Sequence, residues 1–498
     1  MAANPAGMIH RVLLYAVFSV ASAACATPVL PTREARQPPT TQLAPCRVPK
    51  SSYDVLCGKY GVFENRAARA GRRIMLSIVV LPAVGPTPVA DPVFVLVGGP
   101  GLGAASGVRD DSEWFTERFR RDRDIVFVDQ RGTGSSQRLP CRFSDGDTMQ
   151  NYFNDLFPVD RVRACREALD QVADLRLYTT PIAMDDLDDV RAALGYQRIN
   201  LYGVSYGAQA ALQYLRQYPA HVRSVVVAGV ATPAAKQPLN FAKAAHHAMN
   251  TLIEDCASDV ACHGAFPKLN AEFAAVLATF DRGPVTFELL NPASTVKEPV
   301  SMSRGVFVER LRLMLYDLDG ASRVPLVIHR AARGDWAPFA TFSPGGATSG
   351  VSAMYLTVTC SETVSRITEE DIVRESRDTF VGEYRTRTHV RACQEWPRGE
   401  IPPSYYEPVR SGVPVLMLSG ELDAATPPHL ARTAARSLSN SRQIVMRNAA
   451  HAYWYDCMQT LAATFLAKGS ARDLDTTCVQ GLRRPPFVTE LSPQRSPQ

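Results

Sequence analysis

Short and nearly continuous apolar runs along the chain indicate the strands of a buried sheet. Each run is bounded by Pro, Gly or charged residues, as is typical of strands that are covered on both faces. The runs in the first half are Ile74 to Leu81, Val93 to Val97, Ile125 to Asp129, Ile199 to Val204 and Val222 to Val227. The later strands alternate with helical patterns, which predicts parallel pairing in a sheet covered by helices.

Two of the intervening segments have helical spacing. Asp185 to Leu194 has acidic residues near its amino terminus, where they favour the helix dipole, and Gly195 marks its end. Ala208 to Tyr218 is the second predicted helix, directly after the run that ends at Val204. A strand that turns at once into a helix is a place where α/β proteins build active sites.

The pattern becomes mainly helical after Pro233 and is broken by loops such as Ser343 to Gly350. Strand-like runs return at Val413 to Leu418 and Gln443 to Met446. We therefore predict one α/β domain with a mostly parallel central sheet and a mainly helical lid inserted between two parts of the core. The predicted organisation is a signal peptide (1–26), a flexible lead (27–45), the first part of the core (46–235), the lid (236–355), the second part of the core (356–482) and a disordered tail (483–498).

Composition is that of an ordinary globular protein with a large core. Of the 498 residues, 46% are hydrophobic and 21% are charged. The formal net charge of +5 comes from scattered Arg and not from a basic stripe. We therefore expect no nucleic acid partner.

The amino terminus has the order of a secretory signal peptide. Arg11 precedes an apolar run from Val12 to Val20, and small residues follow. The run is too short to span a bilayer, no other segment is long and apolar enough to do so, and a start at Met8 would give a more typical length. Cys25 is a candidate for lipidation, but Ser22 stands where a lipobox normally has Leu. The prediction is a secreted or periplasmic protein.

Eleven cysteines agree with export, because structural disulfides persist in oxidising compartments. Removal of Cys25 with the signal peptide leaves ten, and these lie as close neighbours along the chain. The hypothetical local pairs are Cys46 with Cys57, Cys141 with Cys165, Cys256 with Cys262, Cys360 with Cys393, and Cys457 with Cys478. There is no C-x-x-C, no H-E-x-x-H and no His/Cys cluster at ligand spacing, so neither a metal nor another cofactor is expected.

A nucleophile motif lies between the predicted strand and helix. Gly203-Val204-Ser205-Tyr206-Gly207 matches G-x-S-x-G, in which the Ser occupies a strained turn and the flanking glycines let strand and helix pass closely. Ser205 is the candidate nucleophile. A Ser hydroxyl attacks poorly until a base takes its proton, so acid and base partners are required.

The partners are expected later in the chain, in the order acid and then His. Asp423 follows the apolar run Val413 to Leu418, and His451 follows Gln443 to Met446. Each therefore lies on a loop at the carboxyl end of a strand, where open α/β sheets place their active sites. His429 is the competing base, but it lies only six residues after the acid, on the way into a helix, and we assign it to the surface.

The oxyanion of a tetrahedral intermediate needs two hydrogen-bond donors. We predict the backbone N–H of Tyr206 and that of Gly99, in the loop Gly98-Gly99-Pro100-Gly101. The alternative, a phosphate loop or dinucleotide fingerprint, lacks G-x-G-x-x-G and a Walker Lys. The turn from Asp129 to Ser135 is assigned to the active-site floor.

Together these motifs resemble the prolyl aminopeptidase and tripeptidyl aminopeptidase group of α/β-hydrolases, the S33 serine peptidases. The resemblance covers about residues 45 to 480, and export and cysteine content favour its secreted tripeptidyl-aminopeptidase-like branch. The glycine loop departs from the cytoplasmic enzymes, since Val97 stands where they commonly have His. The segments that carry the resemblance are Gly98 to Gly101, Asp129 to Ser135, the Ser205 elbow, Thr359 to Glu362, and Pro414 to Pro428 around Asp423.

The resemblance implies an aminopeptidase that removes a short N-terminal unit from peptides through an acyl-enzyme on Ser205. A carboxylesterase or small-molecule amidase with the same triad, and a non-catalytic binding module, are the alternatives. The module is disfavoured because all three triad residues are in place. The Ser nucleophile argues against dehalogenase and epoxide hydrolase activities, which need Asp at that position.

A free α-ammonium group of a substrate would need a carboxylate near Ser205, because a buried unpaired cation is unfavourable. Glu362 is the candidate, since the segment Thr359 to Glu362 follows the apolar stretch Met354 to Val358 and matches the family's segment after the lid. The alternative is an ordinary solvated acid close to the acidic run Glu369 to Asp371.

Overall fold

The computed structural model describes most of the chain. The described residues are 40–48, 55–108, 118–141, 143, 148–291, 294–342, 353–451 and 456–491. The predicted signal peptide with Met8 and Cys25, most of the flexible lead, the predicted loop at 343–350 and the end of the predicted tail lie outside these residues.

Eleven strands lie in the described part of the chain, and nine of them form one sheet in the order β1-β2-β3-β5-β4-β6-β7-β10-β11. The six strands from β5 to β11 in this order are parallel, whereas β1, β2 and β3 run antiparallel to their neighbours. The strands are β1 (Ala44–Cys46), β2 (Val55–Phe63), β3 (Arg73–Leu81), β4 (Val93–Leu96), β5 (Ile125–Val128), β6 (Ile199–Val204), β7 (Val222–Ala228), β8 (Val285–Leu290), β9 (Lys297–Met302), β10 (Val415–Gly420) and β11 (Ser441–Met446). This arrangement is the α/β-hydrolase fold, and the predicted fold class is confirmed.

Fifteen α-helices accompany the strands in the described residues. They are α1 (Val159–Asp170), α2 (Thr180–Ala193), α3 (Tyr206–Gln217), α4 (Phe241–Ser258), α5 (Val260–Ala265), α6 (Leu269–Thr279), α7 (Arg304–Met314), α8 (Leu318–Ala331), α9 (Ala337–Phe342), α10 (Ala353–Glu362), α11 (Glu369–Ser376), α12 (Tyr384–Gln394), α13 (Pro428–Ala435), α14 (Asp456–Lys468) and α15 (Thr477–Gln480).

The central strands of the sheet are buried on both faces and are largely apolar, with β4 and β5 apolar at every position. Successive side chains of a strand point to opposite faces. Val225 of β7 accordingly packs in a cluster with Leu212 of α3, whereas Val226 packs in another with Phe465 of α14. This two-sided packing explains why these strands have continuous and not alternating apolar sequence.

Residues 229–414, called here the inserted segment, connect the neighbouring strands β7 and β10. Helices α4 to α12 belong to it. It has its own apolar cluster, which includes Phe307 and Phe339. It also contains an antiparallel hairpin, β8 with β9, which the helical interpretation of this region missed.

Some predicted boundaries differ from the structure. The lead is not flexible to its end, because residues 44–46 form β1 and the amides of Thr40 and Thr41 donate to the carbonyl of Ala193. The border between lid and core at 355/356 falls inside α10. Every residue of helix α10 is buried, including the polar residues Thr357, Thr359, Ser361 and Glu362.

The first residues of the predicted disordered tail are also ordered. Arg484 forms an ion pair with Asp255 at 2.7 Å, and the amide of Val488 donates to the carbonyl of Ser322 at 3.0 Å. Phe487 packs against the apolar cluster of the inserted segment. Apolar side chains in this Pro-rich stretch therefore hold it to the body of the protein as far as it is described.

All five predicted disulfides are formed, so the local pairing is confirmed. The bridge Cys360–Cys393 joins α10 to α12, and Cys256–Cys262 joins α4 to α5. The others are Cys46–Cys57, Cys141–Cys165 and Cys457–Cys478. Within the described ranges, no helix is both long and apolar enough to cross a membrane.

Candidate active site

Ser205 lies on a sharp turn between β6 and α3. Its backbone φ is +58°, a region that non-glycine residues rarely adopt, and the turn leaves the side chain partly exposed. The close passage of strand and helix requires glycine on both sides. A Cβ atom at Gly207 would overlap the carbonyl oxygen of Leu96, and one at Gly203 would overlap that of Gly207. The predicted elbow geometry is thus present.

Asp423 and His451 lie on the loops that follow β10 and β11. These strands are parallel neighbours, so their carboxyl ends meet at one edge of the sheet. His451 Nε2 lies 3.0 Å from Ser205 Oγ, and His451 Nδ1 lies 2.9 and 3.0 Å from the two carboxylate oxygens of Asp423. The structure therefore brings the three predicted residues into one hydrogen-bonded line.

The loop of Asp423 holds its carboxylate in the ionised form. The amides of Ala425 and Thr426 donate to Oδ1 at 2.8 and 2.7 Å, and the Thr426 hydroxyl donates to Oδ2 at 2.7 Å. Burial alone would raise the pKa of Asp423, but the charge of His451 and the hydrogen bonds from His451 and Thr426 outweigh it and place the pKa at about 2. Asp423 can therefore orient His451 as an anion at neutral pH.

Sequence reasoning missed two contacts of the triad. Thr426 reaches both Asp423 and His451, with its Oγ1 3.1 Å from Nδ1. The signal was present, because a hydroxyl residue three positions after an Asp often closes such a turn. Tyr316 stacks edge-on against the His451 ring with centroids 4.8 Å apart, but it comes from the inserted segment and no local pattern indicates this contact.

A cavity of about 730 Å³ opens beside Ser205 and His451. One wall is the glycine loop, in which Gly98 and Gly99 both line the cavity. Gly98 lies so close to Ser205 that a Cβ atom added to it would stand 3.3 Å from the Ser205 Cβ. Gly99 has a φ of +110°, which a side chain would disfavour. The loop thus brings backbone to the nucleophile where side chains would not fit.

The opposite wall comes from the inserted segment. Its lining residues are the aromatic Phe241 and Tyr316 and the polar or charged Tyr355, Thr359 and Arg385. A largely apolar cavity with a few directed polar groups is typical of a site for a small ligand or a chain end.

Tyr206, the second predicted oxyanion residue, is the first residue of α3 and is buried. Its hydroxyl lies 2.9 Å from Thr180 Oγ1 and 3.3 Å from Gln130 Oε1. Gln130 belongs to the turn predicted to form the floor. In that turn the buried Asp129 carboxylate accepts the amide of Ser135, and it also accepts the amide of Ser106 from a separate loop. The described part of the turn supports Tyr206 from behind and does not line the cavity.

Glu362 is fully buried and is therefore not a solvated acid. Its carboxylate accepts the amide and hydroxyl of Thr180 at 2.6 and 2.9 Å, the Gln209 amide at 3.0 Å and the Tyr405 hydroxyl. Burial raises the pKa of Glu362 to about 7, against the opposing hydrogen bonds from Tyr405, Thr180 and Gln209. It is not among the residues that line the cavity, although Thr359, one helical turn earlier, is.

The remaining candidates lie apart from the site. His429 is exposed on α13. The part of the chain that the structure describes contains no group of three or more His, Cys, Asp or Glu side chains placed to hold a metal ion.

Two known families match the two regions of the chain that carry the catalytic residues. The alpha/beta hydrolase fold family matches residues 91–275, which include the glycine loop and Ser205. The family described as TAP-like protein matches residues 378–478, which include Asp423 and His451.

Several curated proteins are similar to this chain. "Serine protease Hip1" of Mycobacterium tuberculosis is 27% identical over 283 residues, which cover 52% of this chain and 53% of Hip1. The match thus spans about half the length of that relative. "Tripeptidyl aminopeptidase" of Streptomyces coelicolor is 24% identical, with 85% of this chain and 83% of the relative covered.

A third relative, "Probable proline iminopeptidase" of Streptomyces coelicolor, is 34% identical over 145 residues, which cover 29% of this chain and 34% of the relative. Sheet order, elbow geometry and these matches agree with one another. The chain therefore has the α/β-hydrolase fold, and its predicted resemblance to the S33 peptidase group is confirmed.

Proposed function

We propose that this chain is a serine aminopeptidase that removes short N-terminal units from peptides through an acyl-enzyme on Ser205. The observation that carries the proposal is the hydrogen-bonded line from Ser205 through His451 to Asp423 at the wall of a cavity. The similarity to a tripeptidyl aminopeptidase over 83% of that relative's length supports peptides as substrates.

In the proposed reaction, Ser205 Oγ attacks the scissile carbonyl while His451 Nε2 takes its proton over the 3.0 Å contact. Asp423 stabilises the imidazolium that forms and keeps the ring in place. His451 then gives the proton to the leaving amine, which departs with the carboxyl-terminal part of the peptide. A water molecule, deprotonated by His451, attacks the ester on Ser205. The ester bond then breaks, His451 returns the proton to Ser205 Oγ, and the N-terminal unit is released.

The oxyanion of each tetrahedral intermediate is proposed to bind the backbone N–H groups of Gly99 and Tyr206. Support comes from the position of each residue. Gly99 lines the same cavity as Ser205, and Tyr206 follows Ser205 directly in the elbow. The buried contacts of the Tyr206 side chain hold this backbone position.

The lid, residues 236–355, is proposed to restrict the site to chain ends. Phe241 and Tyr316 from this region line the cavity, and Tyr316 contacts His451. An extended peptide running through the site in both directions would need a groove, whereas this wall favours one end of a chain.

Glu362 is proposed as the carboxylate that receives the substrate's α-ammonium group. Burial raises the pKa of Glu362 to about 7, and an ammonium group beside it would favour the ionised carboxylate. Glu362 does not line the cavity and accepts four hydrogen bonds from protein donors, so an ammonium group must reach past the wall at Thr359 and displace one of these donors. This requirement makes the role of Glu362 directly testable by mutation.

Export is proposed on the amino-terminal sequence and on the five disulfides, which need an oxidising compartment. The proposed location is the periplasm or the exterior of the cell, with anchoring through Cys25 a less favoured alternative.

The test compares three substrates on one enzyme preparation. We expect a free-amine tripeptidyl chromogenic amide to be hydrolysed faster than its N-acetylated twin. Relative to spontaneous hydrolysis, the enzyme should also accelerate cleavage of this amide more than that of simple 4-nitrophenyl esters. Ser205→Ala serves as the blank. Equal rates on free and acetylated peptides would contradict the aminopeptidase proposal, and turnover of esters alone would support a carboxylesterase.

A further inference from the structure

A buried cationic cluster forms part of the cavity wall. Arg385 of α12 lines the cavity and is only 7% exposed. Its Nη1 donates to Glu309 and its Nη2 donates to the Tyr355 hydroxyl at 2.9 Å. Its Nε has no hydrogen-bond partner among the described residues. An Arg this deeply buried usually has its donors satisfied, because unpaired buried polar groups are unfavourable.

The cluster carries more positive than negative charge. Glu309 is shared by two guanidinium groups, since Arg312 Nε and Nη2 also donate to it at 2.9 and 2.6 Å. Burial would raise the pKa of Glu309, but Arg312 and Arg385 outweigh this effect and lower it, so the carboxylate is ionised. Two cations therefore face one anion.

The other groups around Arg385 add no negative charge. Burial, together with the charge of Arg385, lowers the pKa of His389 well below its usual range, so this ring is neutral at physiological pH. His389 Nε2 and the Tyr355 hydroxyl are 2.9 Å apart and form a neutral pair. Among the described residues that line the cavity there is no Asp or Glu. The wall that carries Arg385 is thus suited to an anionic ligand.

We propose that Arg385 binds a carboxylate of the substrate, so that the enzyme prefers acyl units with an acidic side chain. This inference rests on the proposed hydrolysis at Ser205, because both residues line one cavity. A guanidinium group donates charge-assisted hydrogen bonds that suit a carboxylate. An acidic side chain would also compensate the surplus charge of the cluster, whereas a basic one would be repelled.

The first test uses wild-type enzyme and two small esters of matched size, 4-nitrophenyl hemisuccinate and 4-nitrophenyl butyrate. We expect kcat/KM, after subtraction of the Ser205→Ala blank, to be at least about 10-fold higher for the hemisuccinate, the effect of one charge-assisted hydrogen-bonded contact. A tripeptidyl amide with Glu in the acyl unit should exceed its Gln counterpart by a similar factor. Equal values, or a preference for the neutral member of each pair, would overturn the proposal.

The second test removes the cation. Arg385→Gln leaves Glu309 paired with Arg312 and should abolish the preference for the anionic ester through a higher KM, while hydrolysis of the butyrate ester continues. Arg385→Lys keeps the charge and should retain part of the preference. Arg387→Gln is the matched control, since it removes the same charge two residues later on α12, where Arg387 pairs with Glu369 and Glu383 at the surface. It should leave the preference unchanged.

Thermal unfolding of each variant checks that it is folded. If Arg385→Gln does not fold, Arg385→Lys and the wild-type comparison decide the question. An unchanged preference in a folded Arg385→Gln would refute the proposal. Preference for the hemisuccinate with no cleavage of any peptide would support the carboxylate site and contradict the peptidase function instead.

Discussion

The substitution Asp423→Asn should inactivate the enzyme by reversing the tautomer of His451. In the wild type, the amides of Ala425 and Thr426 both donate to Oδ1 of Asp423. In the variant, the amide oxygen must take the Oδ1 position to accept these two bonds. The amide nitrogen then stands at the Oδ2 position, where it faces Nδ1 of His451.

This nitrogen would donate to His451 Nδ1, which lies 3.0 Å from Oδ2 in the wild type. The proton of the imidazole is then on Nε2, the atom 3.0 Å from Ser205 Oγ, and no lone pair is left there to accept the proton of Ser205. In serine hydrolases this reversal lowers kcat by about ten-thousand-fold, equivalent to about 5 kcal/mol of transition-state stabilisation.

The assay measures kcat and KM on a chromogenic peptide amide or ester, together with thermal unfolding. We expect kcat to fall by this factor with little change in KM. Asp259→Asn is the control, because Asp259 caps α5 through the amide of Cys262 and Asn caps a helix equally well. A loss below about 10-fold in Asp423→Asn, or a comparable loss in the control, would refute the reasoning.

Three further predictions concern stability and substrate binding. The pKa of Asp423 is about 2 in the folded protein against an ordinary value of 3.8, so its ionised form stabilises the fold above about pH 4. Urea unfolding of the wild type should show about 2 kcal/mol of this stability lost as the pH falls towards 2, and Asp423→Asn should not show this loss. Glu362→Gln should raise KM for free-amine peptides more than for acetylated ones, whereas equal effects on both would restrict Glu362 to holding Thr180 and Tyr206. Joint replacement of Cys360 and Cys393 by Ala should lower the free energy of unfolding by about 2–4 kcal/mol, and more than the same change at Cys256 and Cys262, because the latter pair closes a much shorter loop.

The parts of the fold that carry the triad were predictable because their signals are local. Strands β4 to β7 and β10 are buried on both faces, and their sequences are nearly continuous apolar runs. The elbow is a pentapeptide, and Asp423 and His451 each follow a strand closely. The disulfides were also predictable, since each pair is short in sequence separation.

Other elements gave no local signal. Strand β2 was missed because Gly58, Lys59 and Gly61 interrupt its apolar pattern, which an antiparallel strand outside the core of the sheet tolerates. The hairpin of β8 and β9 contains Pro299 and alternating exposed residues, and it resembles a loop in sequence. Both are stabilised by antiparallel pairing with the next strand along the chain, β2 with β3 and β8 with β9.

The residues of the far wall of the site could not be predicted from the sequence either, because they meet only through tertiary packing. Tyr316 and Arg385 come from different parts of the inserted segment, and neither belongs to a motif. The burial of Glu362 was missed for a related reason. Its polar partners Thr180, Gln209 and Tyr405 come from three separate regions of the chain.

Labelling with a fluorophosphonate probe tests the central claim most directly. Peptide mass spectrometry of the labelled protein should find the adduct on Ser205, with stoichiometric labelling of the wild type and none of Ser205→Ala, which should also lose about a million-fold in kcat. The rate of labelling should fall sharply in Asp423→Asn, since the probe needs the same base. An adduct on another residue, or undiminished labelling of folded Ser205→Ala, would contradict the assignment of Ser205 as the nucleophile.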